Sequence, residues 1–155
     1  SPVATAVMES LGATAVPSEL DQVVALTRAG SIDGAETTYP RYWDQRQQEV
    51  QTVVPETGHS LLLTMILLND RFYQGLPKAH QDLLQETAIK VARLERTRSV
   101  EEGIKVRGLA LAEGLKILAP APKEAQRFEA AARGAYAKIL PLVGAELVEA
   151  IRKTA

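Results

Sequence analysis

The sequence predicts an α/β fold that is helix-rich, with short strands in one sheet and one long helix. Three observations carry this reading. A helical apolar pattern runs over 77–114, with Leu83, Leu84, Ala88, Val91 and Leu94 on one stripe and Gln85, Glu86, Lys90 and Arg93 opposite. Short runs of strand character alternate with helical segments along the whole chain. Glycines and prolines punctuate the joins between them.

Val3, Val7, Met8 and Leu11 form a helical stripe over 2–11, which Gly12 can terminate. Residues 13–16 read as a short strand broken by Pro17. Ser18 suits the N-cap of a helix over 19–29, with Leu20, Val23, Val24 and Leu26 inward and Gly30 at its left-handed end. Residues 31–33 read as a brief strand, and Gly34 allows a turn that other residues would strain. A helix over 39–48 tolerates Pro40 in its first turn.

Residues 50–54 and 59–68 have strand character, the second almost continuously apolar, as for a strand covered on both faces. A turn or short helix over 70–75 leads into the long helix, in which Gly103 and Gly108 could mark a bend. Residues 116–119 form a last short strand. A helix from Pro122 to Leu140 follows, and Pro141 and Gly144 separate it from a final amphipathic helix ending near Lys153.

A chain of 155 residues fits one domain, and a compact fold of that size buries roughly 70% of its unfolded surface. Apolar residues at 46% and charged residues at 24% are globular values and exclude a disordered chain. A net charge of −1 gives no field for nucleic acid. Without cysteine there is no disulfide, thiolate nucleophile or zinc-thiolate site. Ser1-Pro2-Val3-Ala4 has neither an initiator Met nor the basic and apolar regions of a signal peptide, so the chain reads as processed or cut.

Two punctuated segments are the most distinctive. One is Ala25-Leu26-Thr27-Arg28-Ala29-Gly30-Ser31-Ile32-Asp33-Gly34-Ala35-Glu36; the other is Asn69-Asp70-Arg71-Phe72-Tyr73-Gln74-Gly75-Leu76-Pro77, leading to Gln81. With Gly12-Ala13, Glu49-Val50, His59, Phe128 and Ile151 in order, the chain resembles the second half of the DctP-type solute receptors of TRAP transporters. Each motif is weak alone, while their joint order and spacing are fairly specific. The resemblance implies a two-lobed periplasmic-binding-protein-like fold, of which residues 1–155 would be the C-terminal lobe with the first lobe missing. It implies a periplasmic protein that captures a small organic acid between its lobes and delivers it to a membrane permease. The guanidinium that grips the carboxylate would lie in the other lobe. No enzyme, cofactor or metal is expected, and an isolated lobe with uncovered apolar surface is expected to pair as a homodimer.

Five residues are candidates for lining the ligand site: Glu36, Thr37, Tyr39, Trp43 and His59. The resemblance places Glu36 and His59 near the hinge, where a carboxylate beside an imidazole could respond to closure. Alternatively His59 is structural at a strand start. Thr37 either faces the cleft or, with Thr38, caps the following helix. Tyr39, Tyr42 and Trp43 either wall the pocket or pack the core. Two other classes stay open: a helical protein-interaction module, and an acid/base enzyme using Glu36 and His59.

Overall fold

The structure is a computed structural model and describes residues 1–154. Helix α1 (Pro2–Ser10) starts where Ser1 Oγ accepts from the Ala4 N–H at 3.2 Å. Proline suits this first turn because the missing N–H has no intrahelical partner there anyway. A single 3-10 turn (Leu20–Gln22) runs into α2 (Val23–Arg28). Its cap is Glu19, in a reciprocal arrangement with Gln22, and not Ser18, whose hydroxyl donates to the Val16 carbonyl instead.

Gly30 closes α2 at φ +68°. The Ser31 N–H reaches the Leu26 carbonyl at 2.9 Å and the Gly30 N–H reaches Thr27 at 3.0 Å. These two bonds satisfy carbonyls that a helix end otherwise leaves open. Gly34 is not in the left-handed region, so the expected strain argument fails at that position.

Helix α3 (Tyr39–Asp44) is shorter than the sequence suggests. Arg46 turns left-handed at φ 55°, and the chain continues as a 3-10 turn (Gln47–Glu49). Strand β1 (Val53–Pro55) follows, then α4 (Asp70–Gln74), capped by the Asn69 side chain. Helix α5 (Lys78–Ala112) is continuous through Gly103 and Gly108 over 35 residues. Strand β2 (Lys116–Leu118) leads to α6 (Pro122–Arg133), α7 (Tyr136–Val143) and α8 (Ala145–Thr154). The helix expected over 122–140 thus divides around Gly134, and Pro141 lies inside α7, with the break coming at Gly144.

The two strands pair in parallel, Val54 opposite Ile117, and the ladder extends through Lys116 N–H to Thr52 and Glu56 N–H to Leu118. Parallel neighbours need a long crossover, which α4 and α5 supply. Tyr42, Ala110 and Leu115 form one buried cluster, flanked by Trp43 and Val54. Ala6, Ala135 and Ile139 form a second, which joins α1 to α7.

Residues 13–16, 31–33 and 59–68 are not strands. For 59–68 the reason is physical. A strand exists only through a ladder, and no described segment pairs with this one. Leu61, Met65 and Leu67 are between 77% and 79% exposed, and Leu62 and Leu68 about half, so the apolar run is left largely uncovered within residues 1–154. The helix-rich α/β character itself is as expected.

Candidate functional site

The site forms where two short segments, 36–39 and 56–59, meet. Gly58 at φ +58° folds the chain back, so that Thr57 Oγ1 lies 2.7 Å from His59 Nδ1. The other ring nitrogen, Nε2, is 2.5 Å from Glu36 Oε2. Both nitrogens of His59 are therefore engaged, which fixes the plane of the ring. The ring of Phe128, from α6, stands edge-on to it with centroids 6.3 Å apart.

Three residues inward on each segment lies a second pair. Tyr39, at the start of α3, donates its hydroxyl to Glu56 Oε1 at 2.7 Å. Glu36 meets His59 and Tyr39 meets Glu56, so the two segments run in opposite directions, joined by side chains. Arg107, on α5, completes the cluster with Nε to Glu56 Oε1 at 2.7 Å and a terminal nitrogen to Oε2 at 3.2 Å. The fork of a guanidinium fits a carboxylate in this two-point way.

These contacts perturb the groups involved. The bonds from Arg107 and then Tyr39 hold the Glu56 carboxyl below the usual carboxylate range. Burial, followed by the bond to Glu56, pushes the Tyr39 phenol up to about 12. Burial also raises Tyr42, whose hydroxyl donates to the Gln51 carbonyl.

Glu36, His59 and Ser60 face Val3, Ala4, Val7 and Met8 of α1 across a cleft of about 180 Å³. That is below the roughly 300–1,000 Å³ of drug-sized sites and suits a ligand of a few carbons or one wall of a larger site. A second, more open cavity of about 500 Å³ lies on the other flank of α1, where Glu9 pairs with Lys138 at 2.7 Å.

The five candidates separate accordingly. Glu36 and His59 come together at the cleft. Thr37 is exposed beside Glu36, and Thr38 takes the cap position through extended backbone, without a hydroxyl bond to the helix. Tyr39 belongs to the Glu56 cluster. Trp43 packs against Tyr42, Ala110 and Leu115. Sequence reasoning missed Thr57, Glu56 and Arg107. The shared three-residue spacing of 36–39 and 56–59 was available as a signal, but nothing local ties Arg107 to them.

The family model for "Bacterial extracellular solute-binding protein, family 7", called DctP, matches residues 1–141. The chain belongs to the DctP family. The C4-dicarboxylate-binding periplasmic protein DctP of Vibrio cholerae is 27% identical over 161 residues, covering 97% of this chain and 45% of that protein. A TRAP periplasmic solute-binding protein of Shewanella oneidensis, solved with bound succinate, superposes with a TM-score of 0.86 at 26% identity, over 96% of this chain and 49% of that one. One from Pseudomonas aeruginosa, solved with L-malate, gives a TM-score of 0.82 at 24% identity, over 89% and 48%, and so speaks to the fold alone. This DctP-family chain spans about half the length of the relatives it matches. These relatives are named as binding proteins, not enzymes. No helix among the described residues is long and apolar enough to cross a membrane.

Proposed function

We propose that this chain is the C-terminal lobe of a TRAP-type solute receptor. The intact receptor, in the periplasm, captures a small organic acid between two lobes and passes it to a membrane permease. The observation that carries this reading is the family match over residues 1–141, which reaches the segments holding the Glu36–His59 pair. The relatives named for C4-dicarboxylate and solved with succinate indicate the ligand class.

In this role Glu36 and His59 form the polar wall of the cleft beside α1, and Thr37 offers a hydroxyl next to them. As the family resemblance implies, the guanidinium that grips the carboxylate of the ligand would lie in the other half of the protein. Closure of the halves is then a shift between open and closed populations. The relatives are named as binding proteins, and this favours binding over acid/base catalysis. The exposed run 61–68 reads as surface that the other half covers.

Isothermal titration calorimetry with succinate, L-malate and galacturonate tests the reading. Binding is expected for a protein of full receptor length and is expected to be weak or absent for residues 1–155. Failure of the full-length protein to bind any carboxylate overturns it. Tight binding by residues 1–155 alone moves the whole site into this half.

A further inference from the structure

Glu56 is tied to four parts of the fold at once. Its backbone N–H reaches the Leu118 carbonyl at the end of β2, and it directly follows β1. Its carboxylate takes the Tyr39 hydroxyl from the start of α3 and the Arg107 fork from α5. Oε1 accepts two bonds of 2.7 Å, one from Tyr39 and one from Arg107, which leaves the carboxylate little freedom to rotate. Three residues further on stands His59, and three residues before Tyr39 stands Glu36. The segments between are short, Glu56-Thr57-Gly58-His59 and Glu36-Thr37-Thr38-Tyr39, and the backbone ladder does not join them.

The Glu36–His59 separation is therefore set by the Tyr39–Glu56 pair, and that pair is oriented from α5. We propose that Arg107 is a positioning residue for the Glu36–His59 pair: through Glu56 and Tyr39 it couples displacement of α5 to the geometry of the cleft wall. Arg107 itself does not line the cleft. Only the consequence for ligand depends on the functional reading above; the coupling is a property of the chain without ligand.

The coupling predicts a spectroscopic signature in the 155-residue chain. Glu36 Hγ and the His59 ring protons beside Nε2 should give a strong nuclear Overhauser effect. Arg107→Met and Tyr39→Phe should each reduce it by at least half, while the Tyr42–Ala110 contact within the core persists. Lys105→Met removes another α5 cation, one paired within its own helix to Glu102, and should leave it unchanged. Tyr39→Phe deletes one hydroxyl only and keeps the test valid if Arg107→Met fails to fold. A merely structural Arg107 would lower the unfolding midpoint and leave the Glu36–His59 effect at full strength in both variants, which overturns the proposal. Calorimetry with succinate on full-length protein registers failure of the ligand reading separately.

Discussion

Tyr39 and Glu56 share a 2.7 Å hydrogen bond one step inside the Glu36–His59 pair, and the two pairs together hold antiparallel segments that have no common ladder. Side chains, and not backbone, fix the mouth of this cleft. That arrangement makes the site sensitive to single substitutions and to pH extremes.

The phenol of Tyr39 is the clearest titration reporter. Its value near 12 in the folded chain lies above the roughly 10 of an unfolded tyrosine. The folded state therefore holds this proton more tightly. The resulting stability is complete below pH about 10 and is lost as pH rises toward 12. Near-ultraviolet absorbance should show late ionisation among the four tyrosines. In Glu56→Gln the ionisation at Tyr39 should move down but stay above the ordinary value, because burial is the larger cause.

Tyr42 tests the core that carries α3. It is 3% exposed, and its hydroxyl donates to the Gln51 carbonyl. Tyr42→Phe leaves that acceptor without its donor and should cost about 1 kcal/mol in urea unfolding. Tyr42→Ala should cost about 3–5 kcal/mol, as for other buried aromatics. Equal losses in the two variants would mean that the ring contributes nothing beyond its hydroxyl.

Gly58 tests the turn that presents His59. Nothing lies within 4 Å of a Cβ placed there, so its φ of +58° is the only obstacle to a side chain. Gly58→Ala should destabilise by about 1 kcal/mol and weaken the Thr57–His59 contact, seen as altered imidazole resonances. An unchanged midpoint and an unchanged spectrum would show that the turn does not need glycine.

The run 61–68 tests association. Leu61, Leu63, Met65 and Leu67 are each more than 70% exposed, and contiguous apolar surface of this kind favours association. In a sample of residues 1–155, a second copy of the chain is expected to cover it. Light scattering should report a homodimer at high concentration, and Leu63→Lys with Leu67→Lys should restore the monomer. A monomeric parent chain rules this out.

What the sequence made legible follows the range of the interactions involved. Helix α5 was readable because its apolar stripe and i,i+4 contacts are local. The end of α2 was readable because Gly30 announces a left-handed residue. The run 59–68 misled because composition reports the burial a segment requires, not whether a partner strand is at hand. Pro141 misled because its fixed φ is compatible with helix, and α7 runs through it. The contact between Glu36 and His59 could be anticipated through family resemblance, whereas Arg107 is 51 positions from Glu56 and one of many cations on an exposed helix. No local pattern distinguishes it from Lys105 or Arg98.

The parallel register that sets Val53 opposite Lys116 also orders events in time. All of α4 and α5 lies between these partners, so the sheet can close only after a long excursion has returned on itself. Helix α5 needs no such closure and can wind first. Ile117→Ala should then speed unfolding while leaving refolding nearly unchanged in stopped-flow traces, whereas slowed refolding would place the sheet in the transition state. The small sheet then acts as a late fastener, closing after the step that sets the pace of folding.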